Sequence, residues 1–117
     1  MRQARNYQAG LAAENSVLRT YIAAGYAMLE RRFRGARGEI DLVFRRGEDV
    51  VFVEVKKSRS FDAALIRLGA AQIGRIFDTA NEFLGAQPKG LLTEARFDLA
   101  LVNAQGDVRI MENALLG

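Results

Sequence analysis

Apolar residues recur at helical spacing between Gln3 and Ala24, and this pattern predicts a first helix. Gly25 follows at the position where a left-handed residue commonly ends a helix. On the helical wheel Glu14 falls between Leu11 and Leu18, so its carboxylate points toward the apolar side. A charge in that position needs a partner, either in a partly buried ion pair or in a functional site.

The next segments carry strand patterns. Tyr26 to Phe33 is compatible with a first strand, and the RGARG segment that follows predicts a loop. The stretch GEIDLVFRRGEDVVFVEVKKSR, residues 38–59, then places two apolar runs around a polar turn, which is typical of a hairpin. Strict alternation gives the first run one face with Ile40, Leu42 and Phe44 and an opposite face with Glu39, Asp41, Val43 and Arg45. The second run has one face with Val51, Val53 and Val55 and another with Val50, Phe52, Glu54 and Lys56. Because both faces carry apolar residues, we expect a sheet covered on each side.

The C-terminal half predicts one helix and two strands. A helical region is expected from Asp62 to Leu84, with a break near Gly69, and its apolar stripe contains Ile73, Ile76, Phe77, Ala80, Phe83 and Leu84. Strands are expected at Arg96–Val102 and Val108–Met111, and Asp98 is interpreted as one half of an ion pair near the start of its strand. The whole order is α-β-β-β-α-β-β, and 117 residues are about the size of one domain, so we predict a single α/β domain over 1–117.

Three charges of the hairpin stand where a buried strand should be apolar. If residues 46–49 form a four-residue loop, Asp41 lies directly opposite Glu54, with β-carbons about 5 Å apart. Two carboxylates at that distance repel, so a positive group must lie between them. Lys56 lies on the same face as Glu54 and supplies one charge, but a divalent cation would neutralise the pair more completely.

The oxygen-rich set favours Mg²⁺ or Mn²⁺. Asp41 and Glu54 would be ligands, the carbonyl of Val55 could be another, and Glu14 could reach the water shell of the metal. A hydrated metal beside Lys56 suits phosphodiester hydrolysis. The alternative is a structural ion pair of the same residues at a sheet edge.

Composition narrows the chemistry further. The chain has no histidine and no cysteine, which excludes serine–histidine triads, histidine-ligated zinc and thiolate zinc sites. The net charge is +3, but basic residues cluster in RRFRGAR and KKSR, which suggests a surface for a polyanion. No apolar run reaches the length of a membrane span and the N-terminus lacks the apolar core of a signal peptide, so we expect a cytoplasmic protein.

These residues carry a family resemblance. AGYAMLERRFRGARGEIDLV, VVFVEVKKSR and RFDLALV together resemble the YraN family, whose members are predicted endonucleases of the Holliday-junction-resolvase-like branch of the PD-(D/E)XK nuclease superfamily. The resemblance implies a restriction-endonuclease-like mixed sheet flanked by helices, a divalent metal and action on DNA. By position, Asp41 and Glu54 match the metal-binding acids and Lys56 the catalytic lysine. Glu14 matches an acid of the first helix, and Gln72 a glutamine that contacts the attacking water or the phosphate. Arg32 departs from the family, which commonly has asparagine there.

Two functions from different classes follow. The first is a metal-dependent endonuclease for double-stranded or branched DNA, and a two-fold homodimer would let two sites reach two strands. The second is a non-cleaving module that binds nucleic acid or recruits protein on the same fold. In either case the residues predicted to contact the DNA backbone are Arg31, Arg32, Arg34, Arg37, Lys57 and Arg59.

Overall fold

A five-stranded mixed sheet organises the part of the chain that our computed structural model describes, residues 2–62 and 70–114. The elements in chain order are α1 (Arg2–Ala23), β1 (Ala27–Arg34), β2 (Glu39–Arg46), β3 (Asp49–Lys57), α2 (Ala70–Gly85), a 3₁₀ turn (Gly90–Leu92), β4 (Ala95–Val102) and β5 (Val108–Met111). This order confirms the predicted α/β architecture.

The strands lie side by side in chain order, from β1 at one edge to β5 at the other. All neighbouring pairs are antiparallel except β3 and β4, which run parallel. A parallel pair needs a long crossover, and α2 belongs to that connection. The two parallel strands therefore form the centre of the sheet, where both faces are covered.

The helix α1 covers one face. Its buried residues Ala13, Val17 and Tyr21 pack against side chains of β2, β3 and β4. The helix ends before Gly25, which has a φ of 96° and so adopts the left-handed conformation that ends helices. The predicted helix and its terminator are confirmed.

The helix α2 covers the opposite face. Ile76, Ala80, Phe83 and Leu84 are buried against this face, and Ile73 and Phe77 pack at the margin, which confirms the predicted stripe. Phe83 contacts the rings of Phe33 and Phe52 edge to face, with centroids 5.1 and 5.7 Å away. The front of the predicted helix, with the expected break near Gly69, lies outside the described residues.

The hairpin of β2 and β3 has the predicted register, because Val43 lies opposite Phe52 and Arg45 opposite Val50. Its loop is shorter than expected. Arg46 also pairs with Asp49, so the turn contains only two residues, and Gly47 at its first position has a φ of 63°. A two-residue turn with glycine in this position has the twist that antiparallel strands favour.

One local irregularity corrects the predicted faces of β2. Ile40 packs in the cluster under α2 together with Val43, whereas Leu42 and Phe44 pack under α1. In a regular strand Ile40 and Val43 would lie on opposite faces, so the alternation breaks between them, close to Asp41.

A second irregularity lies opposite in β1. The pairs of Arg31 with Leu42 and of Phe33 with Ile40 bracket Arg32, which has a φ of 57°. This left-handed conformation is uncommon for arginine, but the register is the same on both sides of Arg32, and the register shift of the two strands lies between Met28 and Glu30. By this register Arg32 of β1 lies opposite Asp41 of β2.

No helix in residues 2–62 and 70–114 is long and apolar enough to cross a membrane.

Near the start of β4 a buried polar network joins the sheet to α1. Asp98 is fully buried and accepts hydrogen bonds from Tyr21 at 2.6 Å and from the Nε of Arg96 at 2.8 Å. It also accepts one from the Asn113 N–H at 3.2 Å. Burial and the bond to Asp98 raise the pKa of Tyr21, so its hydroxyl stays a donor. The expected ion pair of Asp98 is confirmed.

We expect Asp98→Ala to lower the free energy of unfolding by about 3–5 kcal/mol, because it leaves the guanidinium of Arg96 without its buried partner. Urea denaturation of the two proteins measures the difference. Glu48→Ala is the control, since Glu48 pairs with Lys89 on the surface and its loss should change stability little. Equal stability of Asp98→Ala and the wild type would contradict a structural role for this network.

Candidate active site

The acidic pair of the hairpin lies where the β2–β3 ladder ends. The last paired residues are Leu42 and Val53, and Asp41 and Glu54 come next on their strands. The ladder is replaced there by a side-chain contact, because the Val55 N–H donates to Asp41 Oδ2 at 2.7 Å. Because Val55 follows Glu54 in the chain, its N–H links the two predicted acids, and Val55 is itself a predicted ligand.

Glu54 is buried and held from α2. The amide Nε2 of Gln72 donates to Glu54 Oε1 at 3.1 Å. Lys56 Nζ lies 3.9 Å from the same oxygen, and its side chain is one-fifth exposed, at 20%. The structure therefore brings Asp41, Glu54, Val55, Lys56 and Gln72 together, as the sequence predicted.

The two carboxyl groups disfavour each other's charge. Burial, followed by the negative charge of Asp41, raises the pKa of Glu54 from its ordinary 4.5 to about 8. Burial raises the pKa of Asp41 as well, while the bond from the Val55 N–H opposes this rise. A proton on Glu54 can be shared with Asp41, which also favours the protonated pair. Lys56 alone therefore does not neutralise the two carboxyl groups, and a further positive charge would stabilise their ionised forms.

One oxygen of Glu54 marks where that charge would fit. Oε2 is buried, and no hydrogen-bond donor in residues 2–62 and 70–114 reaches it. Its partner Oε1 is already engaged by Gln72 and Lys56. A divalent cation at Oε2 would bind an oxygen that has no donor among the described residues. Mg²⁺ commonly binds one or two carboxylates, and water completes its coordination shell. The donor set fits this metal, although the described residues contain no group of three acids placed to chelate an ion.

Glu14 is placed differently. Its Oε1 accepts from the Nε of Arg31 at 3.2 Å and from the Nε of Arg32 at 3.3 Å. Its Oε2 accepts from the Nη2 of Arg32 at 3.3 Å. The buried carboxylate is close enough for its charge to act on Asp41, but both its oxygens contact guanidinium groups. The partly buried ion pair considered from the sequence is present, and access to a metal's water shell stays a prediction.

The remaining predicted DNA contacts lie around this group. Arg34 pairs with Glu39 at 3.0 Å across the β1–β2 ladder, and Arg37 pairs with Asp78 of α2 at 3.4 Å. Lys57 and Arg59 are exposed at and just beyond the end of β3. All of these side chains border the end of the sheet that contains the acidic pair, but their contact with DNA stays a prediction.

Sequence reasoning missed how the loop between β1 and β2 is held. Both carboxylate oxygens of Glu82 accept the N–H of Ala36, at 3.0 and 3.1 Å. A β-carbon at Gly38 would come within 3.2 Å of Thr79 Oγ1 and 3.3 Å of the Arg75 β-carbon, so a larger residue would need these neighbours to move by a few tenths of an ångström. The glycines of RGARG were a signal for a loop, but not for its docking on a helix.

A cavity of about 580 Å³ lies elsewhere, near the turn of the hairpin. It is lined by Tyr26, Arg46 and Arg96 among others, and includes neither Asp41 nor Glu54. The cavity lies at the start of β3, whereas the acidic pair lies near its end.

The raised pKa of Glu54 predicts a pH dependence of the metal-free protein. Its folded pKa of about 8 exceeds the ordinary 4.5, so the folded state holds a proton that the unfolded state releases between these values. Stability in EDTA should therefore be highest below about pH 4.5 for this group and fall as pH rises toward 8, by a few kcal/mol at most. Urea denaturation at pH 5 to 8.5 measures this, and Glu54→Gln should flatten the curve. An unchanged slope in Glu54→Gln would contradict the assignment.

Comparison with known proteins places the chain in a family. Residues 13–102 match the model of the uncharacterised protein family UPF0102. A UPF0102 protein of Roseobacter denitrificans is 56% identical over 93% of this chain and 84% of its own. Another, of Ruegeria pomeroyi, is 55% identical over 97% of this chain and 92% of its own. The matched region includes every element from the Glu14 turn of α1 to the end of β4. The resemblance found in the sequence is thus confirmed, and the chain belongs to UPF0102, the YraN family.

Proposed function

We propose that this chain is a metal-dependent endonuclease that hydrolyses phosphodiester bonds of double-stranded or branched DNA. The observation that carries the proposal is the buried Glu54 carboxyl, which lies next to Asp41 and has one oxygen without a donor in the described structure. A purely structural ion pair would have matched each acid with a base. Here two acids converge on one lysine, and burial together with the negative charge of Asp41 raises the pKa of Glu54 to about 8.

Asp41 and Glu54 would hold the divalent cation, Mg²⁺ or Mn²⁺, with the Val55 carbonyl as a further oxygen ligand. When present, the cation supplies positive charge that stabilises the phosphate in the transition state and makes a nearby water more acidic. The hydrogen bond from the Val55 N–H fixes one oxygen of Asp41 and so orients the carboxylate. Gln72 does the same for Glu54 from α2.

Lys56 would contact the phosphate. Its side chain is partly exposed, and its ammonium lies 3.9 Å from Glu54 Oε1. The ammonium can therefore contact an anionic oxygen of the substrate while staying close to Glu54. A fixed positive charge there stabilises negative charge that develops on the phosphoryl oxygens. Gln72 donates through its amide nitrogen, and its carbonyl oxygen remains an acceptor for the attacking water.

The surrounding basic side chains would position the DNA backbone. Arg34, Arg37, Lys57 and Arg59 are exposed around the site, so the DNA backbone can reach them. Such contacts give affinity and orientation and do not select sequence. We therefore propose recognition of DNA shape, and a two-fold homodimer would place one site at each strand of a branched substrate.

We expect Glu54→Gln and Lys56→Met each to reduce the cleavage rate by at least about 100-fold, because the first removes a charge that would hold the metal and the second removes a charge at the reacting phosphate. The assay follows labelled linear, nicked and four-way-junction DNA in Mg²⁺ and in Mn²⁺. Lys89→Met is the matched control, since Lys89 is an exposed lysine that pairs with Glu48 away from the acidic pair.

If Glu54→Gln cleaves DNA at the wild-type rate, the activity comes from a contaminant or from another site, and the proposal is contradicted. Binding of DNA without cleavage in any metal would favour the second function, a non-cleaving module on this fold.

Metal binding is tested without DNA. Calorimetry with Mn²⁺ should give one saturable binding event in the wild type, and Glu54→Gln should weaken it by at least about 10-fold because a ligand and its charge are lost. Glu48→Gln removes the same charge from the exposed turn of the hairpin and should bind Mn²⁺ like the wild type. Equal affinity of all three proteins would place the metal elsewhere.

A further inference from the structure

Two consecutive arginines of β1 contact the same carboxylate. The Nε of Arg31 lies 3.2 Å from Glu14 Oε1, and Arg32 reaches both oxygens of Glu14 at 3.3 Å. In an extended strand successive side chains lie on opposite faces, so neighbours cannot normally share a partner. The left-handed conformation of Arg32, with a φ of 57°, removes this restriction. The backbone irregularity and the shared carboxylate are therefore one feature.

This feature adjoins the acidic pair. The pairs of Arg31 with Leu42 and of Phe33 with Ile40 leave Arg32 and Asp41 facing each other across the ladder. The negative charge of Glu14 also acts on Asp41 and raises its pKa, although burial has the larger effect. A group bound by the two arginines would consequently lie next to a group bound at Asp41 and Glu54.

The guanidinium group of Arg31 is not fully satisfied by Glu14. The Nη2 of Arg31 is buried, and no acceptor in residues 2–62 and 70–114 contacts it. A buried donor on a charged group is costly to leave unpaired, which means that the site lacks an acceptor rather than a donor. A second anion with several oxygens would supply what is missing.

We propose that Glu14, Arg31 and Arg32 form a preassembled clamp for a backbone phosphate of DNA, in which Glu14 positions the arginines and is not a metal ligand. The proposal rests on the nuclease function above and specifies how its substrate is held. Arginine suits the role because its planar fork donates two hydrogen bonds to a phosphate. Arg32 has a backbone conformation that arginine rarely adopts, and Glu14 holds its guanidinium in place. The guanidinium is therefore ordered before DNA binds.

The test measures DNA binding without metal. Fluorescence anisotropy with a labelled 20-base-pair duplex in EDTA compares the wild type with Arg31→Met, Arg31→Lys and Arg109→Met. The clamp predicts at least a 10-fold loss of affinity in Arg31→Met and a loss of several-fold in Arg31→Lys, which keeps the charge but not the fork. Arg109 lies on β5, at the opposite edge of the sheet, so Arg109→Met removes the same charge and should lose less than threefold. Equal binding by Arg31→Met and Arg109→Met, wild-type binding by Arg31→Lys, or no binding by the wild type would each overturn the clamp.

Glu14 is tested separately. Mn²⁺ calorimetry on Glu14→Gln should give the wild-type affinity within about twofold, whereas a metal ligand would lose at least tenfold, as for Glu54→Gln. Loss of Mn²⁺ binding in Glu14→Gln would overturn its role as a positioning residue.

Two variants of Arg32 keep the proposal testable if the Arg31 variants do not fold. Arg32→Gly and Arg32→Ala both remove the guanidinium, but glycine adopts a positive φ without strain. Arg32→Gly should therefore melt at a higher temperature than Arg32→Ala while binding the duplex in EDTA at least fivefold more weakly than the wild type. Wild-type affinity in a folded Arg32→Gly would overturn the clamp.

The clamp and the nuclease can fail independently. If Arg31 and Arg32 variants lose binding in EDTA but the wild type never cleaves DNA, the clamp stands and the catalytic proposal fails. If cleavage depends on Glu54 while these arginine variants bind DNA normally, the nuclease stands and the clamp fails.

Discussion

The hydrogen bond from the Val55 N–H to Asp41 is the interaction on which the candidate site depends. It replaces the next rung of the β2–β3 ladder, so the strand of Asp41 leaves its regular course where the acid is needed. The side chain of Asp41 is thereby fixed beside Glu54, and the cost appears as raised pKa values of both carboxyl groups. Burial of two neighbouring carboxyl groups costs stability in the metal-free protein, and the divalent cation proposed above would offset that cost.

Periodic features of the sequence were sufficient for most of the fold. The stripe of α2, the register of the hairpin and the covering of both faces follow from residue patterns that repeat over several turns or strand positions. The face of Ile40 and the length of the hairpin turn did not follow. Ile40 changes faces next to Asp41, whose side chain bonds to β3, and Arg46 extends the ladder because Gly47 permits a tight turn.

The candidate site was predictable in its members but not in all its partners. Asp41, Glu54, Lys56 and Gln72 converge because hairpin register and helix placement bring them together. The partner of Glu14 could not be chosen from a helical wheel, since it depends on the left-handed turn at Arg32. Arginine gives no local signal for that conformation, so only the folded ladder reveals that two neighbouring side chains share one acid.

The docked loop between β1 and β2 has a further consequence. Gly35 lies against Glu82, and Gly38 against Thr79, so the connection is clamped to α2 along its whole length. The same helix carries Gln72, which bonds to Glu54. The helix α2 therefore fixes the spacing between the arginines of β1 and the acids of the hairpin. An inserted residue in this loop would shift β1 relative to α2 and so change the distance between the arginines and the acids.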